Sequence, residues 1–199
     1  MKGLLMMDWL TIKKMKQMLL IFVFLCLLYL VLDIGVFMVA FIPIVLTSIW
    51  ISVSLSEYSS GNTQFLFTLP FDRKTFVTEK YLFCIGSPLV LLMILSGIYL
   101  ALKPDQGKDL LYLMGGTAAG ILLLASLMIP LTIKYRKNAQ NYRSIVMVIF
   151  ILIFAGGGQW LSGLVEKIAP YLVWFAAIPF IALGFSWWIS LKLITREEF

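Results

Sequence analysis

GNTQFLFTLPFDRKTFVTEKYLF, residues 61–83, lies between two long apolar runs and looks like neither of them. Asn62, Gln64, Asp72, Arg73, Lys74, Glu79 and Lys80 crowd into it. Phe65, Phe67, Leu69, Pro70 and Phe71 sit among them, although water solvates such side chains poorly. A stretch that is half charged and half apolar has to bury its rings against something, and its flanks show what kind of molecule carries it.

The flanks are lipid-compatible. The chain has 199 residues, 61% hydrophobic and 13% charged. A soluble domain carries about 25% charged residues, so this chain cannot cover itself in water. Its length suits one polytopic membrane domain. The net charge of +6 reads as the basic bias of untranslocated membrane loops, with no nucleic-acid partner. Cys26 and Cys84 lie inside apolar runs without C-x-x-C spacing and read as free thiols. The chain has no histidine, the commonest general base and metal ligand. The first apolar run follows Lys13, Lys14 and Lys16 as in a signal peptide; with no small-residue cleavage site after it and further runs beyond, it reads as a span.

A spanning helix needs about 20 apolar residues. Six runs are candidates: 18–32 (short unless 15–17 extend it), 34 or 36 to 55, 81–102, 110–133, a fifth starting near Ser144 or Ile145, and 170–191. The fifth reaches only Phe154 before Gly156-Gly157-Gly158 and Trp160 through Glu166, so residues 156–169 read as a re-entrant segment from the outer side. Such backbone must be covered by protein or line a cavity. No internal repeat is visible.

The loops give the orientation. With the N-terminus inside, the inner segments 1–17, 56–80, 134–144 and 192–199 hold thirteen of the sixteen Lys and Arg residues. Both termini are therefore expected in the cytoplasm, and so is the 56–80 loop. Residues 1–17 mix Leu5, Trp9 and Ile12 with four lysines and read as an interfacial helix with snorkelling side chains. Gly116 and Gly120 form G-x-x-x-G in the fourth span, which permits close helix approach, within the chain or at a dimer seam. Ser48, Ser52 and Ser56 recur at i, i+4 in the second span, as helix glue or as a polar path. The expected fold is all-α and integral to the membrane: the 1–17 helix, then a six-span domain over 18–199.

Catalytic signatures are missing. Asp33, Glu57 and Glu166 sit at span edges, and H-E-x-x-H, G-x-S-x-G and the P-loop are absent. The Gly156–Gly158 cluster lacks a phosphate-binding Lys. The chain is not expected to be an enzyme by itself, and no cofactor or metal is expected in it.

Within the opening stretch, the residue before Pro70 is pushed out of helical geometry and Asp72 can cap the next helix. Residues 62–68 suit a short helix lying across the membrane face. Burying one Phe is worth roughly 1.5–3 kcal/mol, enough to anchor a docking contact. The rings could serve a partner groove or the headgroups equally well.

This segment resembles the one after the second span in small type-2 ABC transporter permeases of Gram-positive bacteria. The matching pattern is an acidic residue followed by LP-x-x-R-K-x-x-V-x-x-K-Y, here Glu57, Leu69, Pro70, Arg73, Lys74, Val77, Lys80 and Tyr81. The start is similar too, with Lys2, Leu4, Leu5, Asp8 and Trp9 in place. That family includes permease subunits of exporters of phenol-soluble modulins, which are amphipathic toxin peptides. The resemblance implies a bacterial plasma-membrane permease of an ATP-driven exporter. The 62–70 segment is then a coupling helix docked on a separate ATP-binding subunit, which holds the ATP and Mg. It implies contact through Phe65, Leu66, Phe67, Leu69 and Pro70 together with Gln64, with Arg73 and Lys74 positioning the helix and Glu57 pairing with the partner. It also implies a second permease, as homodimer or paralogue, an outer gate at Gly156, Gly157, Gly158, Trp160 and Glu166, and amphipathic peptide or lipid-like cargo. The competing class is a non-transporting membrane immunity or scaffold protein that binds its partner through the same loop.

Overall fold

A computed structural model describes residues 37–55, 72–102, 107–135, 138–150 and 172–196, together with the isolated positions 6, 10, 13 and 24. These residues form five helices: α1 Phe37–Ser54, α2 Arg73–Leu102, α3 Gly107–Tyr135, α4 over 139–150, and α5 Leu172–Arg196. Three stretches are long and apolar enough to cross a membrane: Arg73–Leu102, Leu113–Tyr135 and Ala177–Thr195. The apolar part of α1, Phe41–Ser54, is shorter. The expected first span and the 156–169 segment lie outside the described residues, apart from Phe24, which is helical and exposed.

Helix α3 is the centre. It packs against α1, α2 and α5, and 61% of its apolar window is buried, against 28% for α2 and 22% for α5. The core joins Ile121, Leu124, Met128 and Ile129 of α3 to Ile51 of α1 and Leu55 just after it, Phe76 and Cys84 of α2, and Ile194 of α5. The outward faces are as apolar as the core: Leu82, Val90, Met93, Ile94 and Ile98 on α2 are exposed, as are Ile178, Phe180, Ile181 and Phe185 on α5. Soluble proteins rarely expose apolar patches this large. In a bilayer such faces are where they belong, because lipid tails are as apolar as leucine.

Thirty residues of helix at 1.5 Å each make α2 about 45 Å long, more than the hydrocarbon core of about 30 Å. Its first turns therefore reach beyond the apolar layer. The helix starts where Asp72 accepts the first intrahelical bond, from the Phe76 N–H at 3.1 Å, so Asp72 holds the cap position that its place after Leu69-Pro70 suggests. The fourth helix starts ahead of its apolar run, at 139 rather than at 144 or 145. Ala139 and Arg143 are buried, and the Tyr142 ring stacks on Tyr135 with centroids 4.2 Å apart. Packing, not apolarity, sets that boundary.

Each of the four long helices contains a proline: Pro43, Pro88, Pro130 and Pro179. An interior proline removes one i→i−4 donor and strands the carbonyl four residues earlier. In lipid that carbonyl needs another donor, from a neighbouring helix or a hydroxyl.

Candidate functional site

The structure concentrates its polar groups at one end of the bundle, where α2 begins and α5 ends. The two helices run antiparallel there and are tied at three levels. Arg73 Nη1 donates to the carbonyls of Ile194, at 3.1 Å, and Thr195, at 3.3 Å. These carbonyls lie in the last turn of α5, where a cation also suits the negative end of the helix dipole. Further in, Trp187 Nε1 donates to Thr78 Oγ1 at 3.3 Å, while the Thr78 hydroxyl donates to the Lys74 carbonyl. At the third level Tyr81 Oη lies 2.6 Å from Ser186 Oγ and 2.9 Å from Ser190 Oγ.

The third level has a fixed direction, which proton counting gives. Ser186 Oγ is 2.5 Å from the Ser126 carbonyl, which can only accept, so Ser186 spends its proton there. Toward Tyr81 it must then accept, and Tyr81 donates. With its own proton spent, Tyr81 accepts from Ser190. The relay runs Ser190 to Tyr81 to Ser186 to the Ser126 carbonyl, across α5, α2 and α3. Its terminus has a cause in the sequence: Ser126 lies four residues before Pro130, so the N–H that an α-helix would normally direct at its carbonyl is missing. The relay supplies the donor that Pro130 removed.

The L-P-x-x-R-K-x-x-V-x-x-K-Y pattern acquires a geometry from this. Arg73, Val77, Lys80 and Tyr81 fall at i, i+4, i+7 and i+8, one stripe of α2, and that stripe faces the bundle. Val77, Lys80 and Tyr81 are buried, whereas Lys74 is exposed. Glu79 is buried as well, and Lys80 Nζ lies 3.5 Å from its carboxylate and 5.3 Å from the centre of the Phe76 ring. The start of α2 is thus enclosed on nearly every side before the helix emerges against lipid. Of the residues assigned to partner contact, Arg73 holds α5, and Lys74 faces outward. Glu57, Gln64, Phe65, Leu66, Phe67, Leu69 and Pro70 lie outside the described residues, as do Gly156, Gly157, Gly158, Trp160 and Glu166.

The glycine pair divides. Gly120 is buried, but Gly116 is exposed, with no atom within 4 Å of where a Cβ would sit. One turn apart on one face, they differ because α3 is enclosed at Gly120 and open at Gly116. Of the α1 serines, Ser48 spends its hydroxyl on the Val45 carbonyl at 2.9 Å. That bond stays within its own helix.

The charge pattern marks the same end. Arg73, Lys74 and Lys80 at the start of α2, Lys134 at the end of α3, Arg143 near the start of α4, and Lys192 and Arg196 at the end of α5 all lie there. The Arg73 bonds and the Tyr135–Tyr142 stack connect these helix ends. Among the described residues of the five helices, Lys108 is the basic residue at the opposite end. Lys134 lies 5.2 Å over the Tyr135 ring and Lys192 5.0 Å over the Trp188 ring. Lysines and interfacial aromatics side by side form the belt expected at a membrane surface.

No group of three or more potential metal ligands occurs among the described residues. The site can hold helices together. It does not assemble an acid, base and nucleophile. Neither the curated proteins nor the solved structures contain a match to the chain. The family model of the ABC-2 family transporter proteins matches residues 3–195, nearly the whole chain, so the chain belongs to that family and is a multi-pass membrane component of an ABC transporter.

Proposed function

We propose that the chain is the permease subunit of an ATP-driven exporter of amphipathic peptides, worked by a separate ATP-binding subunit docked on residues 62–70. The observation that carries this reading is the construction of the start of α2. The loop after α1 feeds directly into a helix whose first turns are bonded to α5 through Arg73 and Thr78, and to α3 through Tyr81 and Ser186. A push on that loop moves α2 and α5 together and reaches the proline of the central helix. A mechanical input needs such a connection, and a passive anchor does not.

The basic end of the bundle is then cytoplasmic, by the excess of Lys and Arg at that end. Exposed Lys74, with Phe65 and Phe67, supplies the contact to the ATP-binding subunit, which carries ATP and Mg. A second permease, of this chain or a paralogue, completes the pore, with residues 156–169 as its outer gate. The absence of ionisable residues from the middle of the long helices suits a passenger that is itself apolar on one side.

The test is transport. Inverted vesicles containing the chain and its ATP-binding subunit should accumulate a fluorescent amphipathic helical peptide when given ATP, and a scrambled, non-amphipathic peptide of equal charge should not enter. Equal uptake with and without ATP would remove the exporter reading.

A further inference from the structure

Arg143 is a charge on the wrong face of its helix. In α4 the side packed against the bundle runs through Ala139, Arg143, Val146, Met147 and Phe150, while Ile145, Val148 and Ile149 face outward. Arg143 is 8% exposed, and its Nη1 is sealed from solvent with no hydrogen-bond partner among the described residues. Guanidinium is never neutral in a protein, so the group cannot escape by losing its proton. Burial pulls its pKa down, and among the described residues no carboxylate opposes the shift. A buried cation without a counter-ion is costly and is normally satisfied by an anion. Its surroundings indicate the source. The stacked Tyr135 and Tyr142 rings and exposed Lys134 mark this end as a membrane interface, at the depth where lipid phosphates lie.

We propose that Arg143 is the centre of a binding site for an anionic phospholipid headgroup, whose phosphate enters between α4 and the bundle and accepts from the Nη1 that now lacks an acceptor. Arg143 supplies a planar donor pair suited to phosphate, and Lys134 at the rim supplies a second charge. The outward Ile145, Val148 and Ile149 lie where the acyl chains would run. The inference requires only that the chain spans a membrane. It is independent of cargo and of the ATP-binding subunit.

The purified full chain is titrated in neutral detergent with phosphatidylglycerol, phosphatidylcholine or inorganic phosphate. Thermal unfolding and native mass spectrometry are the readouts. Phosphatidylglycerol should raise the melting temperature and remain as a single bound lipid, and the other two should do neither. Arg143→Gln should weaken phosphatidylglycerol binding at least tenfold, Arg143→Lys should keep most of it, and Lys192→Gln should leave it intact. An equal response to phosphatidylcholine, or equal protection by inorganic phosphate, overturns the assignment on the native chain alone, even if a variant fails to fold. Undiminished phosphatidylglycerol binding by a folded Arg143→Gln protein overturns it as well.

Discussion

Ser186→Ala isolates the relay's one irreplaceable bond. The variant removes the side-chain donor on the Ser126 carbonyl, and Pro130 has already taken away the backbone N–H four residues on. Tyr81 is less affected, because its proton can turn to Ser190 Oγ at 2.9 Å. The loss is therefore one buried, unsatisfied carbonyl, about 1–3 kcal/mol in soluble proteins. Hydrogen bonds between membrane helices average about 0.6 kcal/mol, so about 1–2 kcal/mol is expected here. Ser190→Ala differs in kind. It empties a lone pair of Tyr81 but leaves Tyr81 donating to Ser186 and Ser186 donating to Ser126, so at most about 0.5 kcal/mol is expected. Pro130→Ala restores a backbone N–H to α3 four residues after Ser126. In that background Ser186→Ala should cost almost nothing. Equilibrium unfolding of the native chain, the three single variants and the Pro130→Ala/Ser186→Ala double variant, in one mixed-micelle system, completes the comparison. The reasoning is refuted if Ser186→Ala costs no more than Ser190→Ala, or if Pro130→Ala leaves the Ser186→Ala cost unchanged.

Other outcomes follow from the same end of the bundle. Arg73→Ala frees the last turn of α5, and partial exposure limits the loss to about 1 kcal/mol; protease should then reach the C-terminal residues faster, with the rest of the fold intact. Glu79→Ala removes the carboxylate beside Lys80 and should cost about 1–3 kcal/mol, whereas Glu79→Leu with Lys80→Met should cost less, which thermal unfolding of both would show. In a variant lacking Cys26 and Cys84, single cysteines at Lys74 and Lys192 should be shielded from a membrane-impermeant maleimide in intact cells. A cysteine at Lys108 should be labelled. The reverse pattern would invert the orientation.

Much of the fold was legible because an apolar run of spanning length is a strong one-dimensional signal. The runs at 34 or 36 to 55, 110–133 and 170–191 correspond to α1, α3 and α5 with ends displaced by up to five residues, and the run at 81–102 corresponds to α2, which starts eight residues earlier, at Arg73. Helix starts were harder to read, since polar residues that pack, such as Glu79, Lys80 and Arg143, look like loop residues to a hydropathy count. The partner of the Ser126 carbonyl was not legible: Ser186 lies sixty residues away, and no local pattern pairs a proline with a serine on another helix. The motif residues Arg73, Val77, Lys80 and Tyr81 were visible in the sequence as a pattern, but not as one stripe of a helix. What the sequence did not show was that this side of α2 packs inward, with Arg73 and Tyr81 bonded to α5. Arg143 counted toward orientation as one more basic residue; only packing shows that it points inward.

The central claim is that the loop leading into α2 is where an ATP-binding subunit docks. The most direct measurement is co-purification of the chain with that subunit, native against Phe67→Asp, with the ATPase rate of whatever is recovered. The account predicts a stable complex with the native chain and loss of the subunit with Phe67→Asp, since a carboxylate cannot enter an apolar groove without a partner. Equal recovery of the subunit by both chains, or no complex with the native chain, would contradict it.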